Sequence, residues 1–291
     1  MGQVIKFTNR RNESVEFSIN KPCMLKEIEG LSGVGATEVT YKGFKQDGEE
    51  YQSSTLEPRQ IVIKFSLLCS SADELLNIRA KINKVFNPKL GIGSLYYSYK
   101  GVERIIDCVP DGTPVMPLVS NKKDCIGEVV LLAYNPYLRD INETKVNIAQ
   151  WKGGFKFPLK LKQPGVIMGR KEPSLIANVF NNGDVNSGML IEFIARGTVR
   201  NPSLFNVNTR EYIKLNKIMI SGEKITINTN YGQKKIISEI GGVKKDILNY
   251  YDLTSTFLQL DVGDNLFRYD AEENLNNLEV SIYYTNKYVG V

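Results

Sequence analysis

Acidic side chains near the C-terminal end of the sequence are the first candidates for chemistry. Asp261 and Asp264 lie three residues apart, and a further acidic segment follows at 270–273. A calcium site needs several oxygen ligands that converge on one ion, and the spacing of an EF-hand loop is absent. The order of residues instead favours a turn in which Gly263 or Asn265 has a positive φ and the aspartates bond to local backbone. We therefore predict no metal ligand here.

A second acidic group lies in the N-terminal half of the chain. Glu49 and Glu50, with Glu57 nearby, could in principle supply the acid and base of a glycoside hydrolase. They fall within Lys45–Pro58, a polar segment rich in turn residues. A catalytic acid needs a raised pKa, which burial usually provides, and such a segment is not expected to bury a carboxyl group. The sequence therefore favours solvated surface carboxylates.

Histidine is absent from the chain. This removes the commonest general base, the commonest metal ligand and every catalytic triad that contains histidine. The four cysteines, Cys23, Cys69, Cys108 and Cys125, form no C-x-x-C pair, and two of them lie in strand-like runs typical of buried residues. Free thiols favour a reducing compartment; disulfide pairing among the four cysteines is the alternative. No phosphate-binding loop is present either, so we predict no catalytic residue, no cofactor and no enzyme activity.

The length of the chain indicates two domains. A chain of 291 residues exceeds the usual size of a single hydrophobic core. Proline and glycine interrupt residues 140–175, whose role the sequence leaves open, and we place the boundary so that the domains are 1–140 and 141–291. The net charge of +5 is small, and the basic residues are scattered, so no sequence-specific nucleic-acid site is predicted. No apolar run approaches the roughly 20 residues that span a membrane, and no membrane insertion is expected.

Several strands are predicted in the first domain. Runs rich in β-branched and aromatic residues occur at 38–44 and 59–68, and the segment between them is polar. This pattern predicts a hairpin, at about 38–64, that projects from the body of the domain; a disordered surface loop is the alternative. Residues 94–109 are typical of a second hairpin with its turn at Lys100-Gly101.

The strongest local signal predicts a helix at about 72–86. Ser71 and Glu74 have the spacing of a capping box. Apolar residues recur at helical spacing and form one face, at Leu75, Ile78, Ile82, Val85 and Phe86. Asn87-Pro88 is expected to end the helix, because proline disfavours helical backbone at the residue before it.

The second domain is predicted to be all-β. Short strand-like runs recur at fairly even spacing, without a helix of convincing length, which is typical of a sandwich or a barrel. Residues 181–202 show the pattern. The turn residues Gly183, Asp184 and Gly188 precede a strand with apolar residues on both faces, and Asn201-Pro202 follow it.

The order of these segments resembles the distal tail protein family of long-tailed, siphovirus-type bacteriophages. The matching segments are GDVNSGMLIEFIARGTVRNPSLFNVNTREYIKLN, SGEKITINTNYGQKKI and LTSTFLQLDVGDNLFRYDAEENLNNLEVSIYYTNKYVGV. The family-like motif residues of the sandwich are Gly183, Asp184, Gly188, Asn201, Pro202, Gly263 and Asn265. The resemblance is dense from about 175 to 291. It is looser from 1 to 135, where the strands, the hairpin and the helix agree in order.

The resemblance implies a mainly β fold. The N-terminal domain would be a β-sandwich or split-barrel-like domain with one α-helix and a projecting hairpin. The C-terminal domain would be a galectin-like or jelly-roll sandwich whose last strand can return to the N-terminal domain.

The resemblance also implies a structural role in the virion. Six copies would form a ring at the distal end of the tail tube, with a central channel for DNA. The ring would link the tail tube protein to the tail-associated hub protein and to receptor-binding or other baseplate proteins. It would belong to the virion tail tip and would assemble in the host bacterial cytoplasm.

In this family the hairpin would reach onto the neighbouring subunit and extend its sheet. The residues assigned to that contact are Lys45, Gln46, Asp47, Glu49, Glu50 and Tyr51. The alternative function is a phage β-sandwich that itself binds carbohydrate on the host surface. The only tryptophan is Trp151, but the 15 tyrosines could supply stacking surfaces. A ring favours the first function, and stabilisation by a saccharide favours the second.

Overall fold

The computed structural model describes residues 2–117, 123–149, 151–153, 169–171 and 176–291. It divides the chain into two compact units. The first unit consists of Met1–Ile141 together with Lys287–Val291, and the second consists of Asn142–Asn286. Each unit has its own core of buried apolar residues.

The regular elements are numbered in chain order. The first unit begins with β1 (Val4–Thr8), β2 (Ser14–Phe17), β3 (Cys23–Glu29), β4 (Ala36–Tyr41), β5 (Glu50–Leu56), β6 (Arg59–Leu68), α1 (Ala72–Val85), β7 (Gly93–Tyr99), β8 (Val102–Pro110), β9 (Asp124–Ala133) and β10 (Leu138–Arg139). The second unit contains β11 (Thr144–Ala149), β12 (Trp151–Gly153), β13 (Gly169–Lys171), β14 (Ile176–Asn181), β15 (Met189–Ala195), β16 (Val199–Asn206), β17 (Tyr212–Lys214), β18 (Ile218–Met219), β19 (Lys224–Asn228), β20 (Lys235–Ile240), β21 (Val243–Asp246), β22 (Gly263–Glu273) and β23 (Leu278–Tyr284). The last strand, β24 (Lys287–Tyr288), belongs to the first unit.

The first unit is built on one antiparallel sheet. Its strand order is β2-β1-β7-β8-β9-β6-β3, and β10 pairs with both β8 and β24. The outer strands β2 and β3 meet at Ser18. Its NH donates to the carbonyl of Cys23 at 3.2 Å, and its carbonyl accepts from the NH of Leu25 at 2.8 Å. The two edges of the sheet therefore join over a short stretch, which gives the split-barrel-like arrangement expected of this domain.

Aromatic rings fill the core of the first unit. The rings of Phe7 and Phe86 stack with their centroids 4.6 Å apart, and those of Phe17 and Phe65 lie 4.7 Å apart. All four are buried; Phe7, Phe17 and Phe65 share one face of the sheet because alternate residues of a strand point to the same side. Phe86, the residue after α1, joins the helix to this cluster.

The predicted helix is confirmed as α1, within one residue of its expected end. The Ser71 hydroxyl accepts a hydrogen bond from the NH of Glu74 at 3.1 Å, and the Glu74 carboxylate accepts one from the NH of Ser70 at 2.7 Å. The residues that it buries are Leu75, Ile82 and Val85. Among the described residues, no helix has the length and apolar character of a membrane span.

The hairpin at Lys100-Gly101 is confirmed, with β7 and β8 pairing on either side of that turn. The bounds of the projecting hairpin differ from the expected 38–64. Its two strands are β4 and β5, and they form a sheet of their own. Residues 59–68 instead form β6, which lies between β9 and β3 in the large sheet. The sequence pattern misplaced the second strand because 50–56 is polar, and a strand exposed on both faces needs no apolar alternation.

The second unit is a β-sandwich. One sheet has the order β11-β23-β15-β19-β20-β21, and the other has the order β14-β22-β16-β17 with β18 against β16. Strands β12 and β13 pair with each other in a two-stranded sheet. Phe193 and Ile282 from the first sheet and Leu204 and Phe267 from the second are fully buried in the same cluster. The core therefore lies between the two sheets, and it confirms the all-β prediction for this part of the chain.

Ser71→Ala should lower the free energy of unfolding of the first unit by about 1 kcal/mol, because it removes the side-chain acceptor at the start of α1. Chemical denaturation measures this change. Ser70→Ala is the matched control, since the bond from the Ser70 backbone to Glu74 survives it. Equal stability of Ser71→Ala and the unmodified chain would show that the cap contributes nothing.

Candidate assembly surfaces

The hairpin of β4 and β5 is the most exposed element of the first unit. Every residue of β4 is exposed, as is every residue of β5 except Leu56 at its end. Since the sheet has two strands, each strand keeps an outer edge whose backbone groups can pair with another strand. The pairing of Val39 with Ser53 and of Thr40 with Tyr51 includes a bulge between them. This hairpin is therefore a candidate surface for strand addition.

Apolar side chains on the hairpin have no core to enter. Val39, Tyr41, Phe44 and Tyr51 are all exposed, and Phe44 at the tip is 95% exposed. The sequence identified Tyr51 but missed the other three. The available signal was the presence of Val39 and Tyr41 among alanine, threonine and glutamate in β4, and of Phe44 in the polar segment after it.

The predicted hairpin residues occupy the tip and the start of β5. Lys45 has a φ of 59°, and the Gln46 side chain accepts a hydrogen bond from the NH of Gly43 at 2.9 Å. Glu49 accepts a hydrogen bond from the hydroxyl of Thr40 on the other strand. Asp47 lies in the turn, and Glu50 and Tyr51 begin β5. These side chains shape the tip, and their role in contacting another subunit stays a prediction.

A buried arginine holds the base of the hairpin. Arg59 begins β6, only 1% of it is exposed, and burial lowers the pKa of its guanidinium. One terminal nitrogen donates to the carbonyls of Gly30 at 2.6 Å and Leu31 at 2.9 Å. Nε donates to Pro136 O at 2.8 Å, and the other terminal nitrogen donates to Val289 O at 2.5 Å. One side chain therefore ties three chain segments together.

The backbone at Gly30 makes this arrangement possible. Gly30 has a φ of 85°, and a β-carbon at this position would lie 1.9 Å from the carbonyl oxygen of Gln60. Only glycine fits such a close approach of two backbones. The loop that precedes β4 therefore packs against the start of β6, where the carbonyls of the loop accept hydrogen bonds from Arg59.

The C-terminal segment completes the base of the first unit. β24 pairs with β10 through Leu138 opposite Tyr288. The guanidinium of Arg104 lies 3.6 Å from the centre of the Tyr288 ring and 3.1 Å from Asp140, within reach of a cation–π contact and an ion pair. These contacts hold the segment that presents Val289 O to Arg59.

The family-like motif residues of the second unit set its turns. Gly183 donates its NH to the side chain of the buried Asn181 at 3.0 Å, and Asp184 is exposed on the same turn. At Gly188 a β-carbon would lie 2.6 Å from the Cα of Asn230, so two backbones cross closely there. These positions specify the architecture of the sandwich.

The remaining motif residues lie around β16 and β22. Asn265 is buried; its side chain accepts from the NH of Asp261 at 2.9 Å and donates to the carbonyl of Gly263 at 3.0 Å. Asn201 has a φ of 51°, and its side chain donates to the Glu272 carboxylate at 2.8 Å. Pro202 is buried within β16. Strand β16 thus continues through Asn201-Pro202, which the sequence placed at the end of a preceding strand.

Two family models match the chain. The model described as "Phage tail protein RIFT-related domain" matches residues 11–128, and the one described as "Siphovirus-type tail component, C-terminal domain" matches residues 182–288. Together they account for most of the chain; the first lies within the first unit, and the second covers mainly the second unit. The chain belongs to the distal tail protein family of siphovirus-type phages. It is accordingly a structural component of the phage tail and baseplate.

Solved structures of distal tail and baseplate proteins have a similar fold. The Dit (gp 19.1) protein of SPP1, described as a paradigm of the hub adsorption apparatus in phages that infect Gram-positive bacteria, matches with a TM-score of 0.69 and 9% identity over 98% of both chains. Chains of the phage P2 baseplate in its activated conformation, with Ca and with Sr, match with TM-scores of 0.54 and 0.52 at 12% identity over the full length of both chains. No curated protein sequence matches the chain.

The acidic residues near the end of this distal tail protein family member are engaged locally. Asp264 accepts a hydrogen bond from the Asn178 side chain, and Asp261 accepts one from Asn186 at 2.7 Å. In the N-terminal half, Glu57 accepts a hydrogen bond from Thr37 at 2.7 Å. Among the residues that the structure describes, no three histidine, cysteine, aspartate or glutamate side chains are placed to hold a metal ion.

The four cysteines of this family member are free thiols. Burial raises the pKa of Cys108 to about 12 and that of Cys23 to about 11, and it also raises the pKa of Cys69. A raised pKa leaves little thiolate at neutral pH, and the thiolate is the nucleophilic form. The side chain of Trp151, which bears on carbohydrate stacking, lies outside the described residues.

A buried carboxylate accepts hydrogen bonds from several groups at one end of the sandwich. Glu223 is fully buried; it accepts hydrogen bonds from Ser238 at 2.6 Å and from the NH of Ile220 at 3.1 Å, and it pairs with Lys217 at 2.8 Å. Burial alone would raise the pKa of Glu223. The hydrogen bonds from Lys217, Ser238 and Ile220 outweigh it and hold the pKa below its ordinary value.

Arg59→Met should destabilise the first unit by about 3 kcal/mol or more, because several buried carbonyls lose their donor at once. Denaturant titration followed by hydrogen exchange of peptides from the first unit measures the loss. Arg200→Met is the matched control: Arg200 pairs with the exposed Glu272 and Glu273, and such pairs contribute about 1 kcal/mol or less. Similar losses in the two variants would contradict the role of Arg59.

Glu223→Gln should destabilise the second unit at neutral pH and should do so less as the medium becomes acidic. A carboxylate with a lowered pKa adds stability above its unfolded-state pKa of about 4.5, and that stability is lost as the pH falls through the folded-state pKa. Denaturation of both proteins at a series of pH values between 7 and 3 measures the difference. Glu211→Gln, at an exposed position, serves as the control. A difference that stays constant with pH would contradict this account of Glu223.

Proposed function

We propose that six copies of the chain form a ring at the distal end of the tail tube. The ring joins the tube protein to the hub protein and leaves a central channel through which DNA passes. It acts as a scaffold, without enzymatic activity, and assembles in the cytoplasm of the host bacterium. Membership of the distal tail protein family and a similar fold along the whole chain support this proposal.

The single observation that carries the proposal is the exposed hairpin. Among the residues that the structure describes, its two strands pair with each other alone, and its apolar side chains are exposed rather than part of the core of the unit. Long exposed edges invite aggregation, and proteins usually shorten, charge or cover them. When the hairpin adds to the sheet of the next copy, the exposed edge of the hairpin is covered and the apolar residues of the hairpin are buried in one step.

Such a contact joins two different surfaces, the hairpin of one copy and the body of the next. Contacts of this kind form closed rings when the rotation between copies closes. The predicted hairpin residues Lys45–Tyr51 lie at the leading end of this contact. The base held by Arg59 fixes the direction in which the hairpin leaves the body.

The second unit supplies a further surface for baseplate partners. Leu253 is 93% exposed on a loop whose shape is fixed, because Asp252 accepts hydrogen bonds from the NH of Thr254 at 2.9 Å and from its hydroxyl at 2.5 Å. A rigid, exposed apolar side chain is a suitable anchor for a protein partner. Receptor-binding proteins or other baseplate proteins are the partners that we assign to this unit.

The free thiols favour assembly in a reducing compartment. The two outer cysteines, Cys23 and Cys69, are only partly buried, yet neither is in a disulfide. Disulfides are rare in the cytosol, where thiols stay reduced. Assembly of the tail tip in the host cytoplasm is consistent with this state.

Replacement of residues 37–55 by a short Gly-Ser linker should convert the ring into monomers. Light scattering should give about 197 kDa for six copies of the unmodified 32.8 kDa chain, with a central hole in negative-stain images, and 32.8 kDa or slightly less for the variant. Leu253→Ser is the control, because the ring contact does not use that loop. A ring that survives loss of the hairpin would refute the hairpin assignment, and an unmodified chain that stays monomeric at all concentrations would refute the ring.

A further inference from the structure

The tip of the hairpin presents a single phenylalanine. Phe44 occupies the corner of a turn in which the NH of Gln46 donates to the carbonyl of Gly43 at 3.2 Å and the Gln46 side chain accepts from the NH of Gly43 at 2.9 Å. Two hydrogen bonds therefore close the turn around Phe44. The turn projects the Phe44 side chain into solvent, with 95% of the residue exposed. A turn whose backbone is ordered before binding loses little backbone entropy when its side chain is buried.

A cavity near the base of the hairpin has the complementary character. It lies in the first unit, has a volume of about 480 Å³, and is walled by Leu31, Tyr97, Tyr99 and Val102, with Lys100 at its rim. Tyr99 and Val102 remain solvent-exposed. An apolar cavity of about 150 Å³ is enough to hold a benzene molecule. The cavity can therefore accept a phenylalanine ring with its neighbouring backbone.

The tip and the cavity of one copy do not meet. Leu31 lies five residues before β4, so the cavity is close to the hairpin base in the chain, and Arg59 holds that wall through the Leu31 carbonyl. The six residues of β4 carry the tip about 20 Å from the base. The exposure of Phe44 shows that its own chain does not cover it. Only another copy can bring a tip to this cavity.

The charges of the two surfaces are complementary. Around Phe44 the tip carries Asp47, Glu49 and Glu50 against Lys42 and Lys45, a net charge of −1, and the Lys45 ammonium lies 5.4 Å from the centre of the Phe44 ring. The cavity rim carries Lys100, whose ammonium lies 5.3 Å from the centre of the Tyr99 ring. Opposite charges around an apolar contact steer association and fix its orientation.

We propose that Phe44 of one copy inserts into the cavity walled by Leu31, Tyr97, Tyr99 and Val102 of the next copy. The inference rests on the proposed ring and names the contact that sets its register. A tip-to-base contact is directional, so each copy gives one tip and receives one. In a closed ring every tip and every cavity is occupied.

Phe44→Ser tests the insertion by the concentration at which the ring half-dissociates, measured by sedimentation. We expect this concentration to rise about tenfold or more, since burying a phenylalanine side chain contributes roughly 1.5–3 kcal/mol. Leu253→Ser is the matched control: it removes an equally exposed apolar side chain from the loop of the second unit that the ring contact does not use. We expect it to leave the concentration within about threefold of the unmodified value.

A crosslinking experiment locates the contact. Phe44→Cys and Val102→Cys variants are mixed in equal amounts and oxidised; a covalent dimer of two chains should form in the mixture and exceed what either variant gives alone from its native cysteines. Val39→Cys mixed with Val102→Cys should give only that background.

The outcomes separate this inference from the proposed ring. If Phe44→Ser keeps the ring at the unmodified concentration while the hairpin-deleted chain is monomeric, the ring stands and the insertion is wrong. If Phe44→Ser weakens the ring but no dimer forms above background, Phe44 contacts another surface and the assigned cavity is wrong. If the unmodified chain forms no ring, both proposals fail together.

Discussion

The first unit depends on the hydrogen bonds that the buried guanidinium of Arg59 donates. In the described structure its hydrogen-bond acceptors are backbone carbonyls from the loop before β4, from the segment after β9 and from the C-terminal segment. Burying a charge is costly unless its donors are satisfied with good geometry. The rigid fork of arginine meets that condition only if all these carbonyls are in place. The three segments are therefore fixed together or not at all.

The hairpin is stabilised in a different way from the rest of the unit. Its strands bury almost nothing, and an isolated two-stranded hairpin is marginally stable in water. Its conformation is defined at its two ends, by the close approach of Gly30 to Gln60 near the base and by the closed turn at Gly43–Gln46. A defined base and tip with an open surface between them suit an element whose apolar residues are covered by a partner.

The second unit uses its polar residues for architecture. Asn181 and Asn265 are buried and satisfy backbone groups at turns, and Glu223 satisfies a lysine, a serine and an NH at one end of the sandwich. Residues that could carry chemistry are thus engaged in holding loops. This agrees with a structural role in the tail and baseplate.

Local patterns were enough to predict α1, the turn at Lys100-Gly101 and the all-β character of the C-terminal part, because capping, turns and strand alternation depend on residues a few positions apart. The turn-rich segments from 181 onward were enough to indicate the family. The strand at 50–56 and the role of Arg59 could not be predicted in this way. The strand lacks apolar alternation, and the partners of Arg59 lie between 26 and 230 residues away. Burial and strand pairing over such separations are decided by how the whole chain folds, so a polar strand and a surface-like arginine acquire their places only in the tertiary structure.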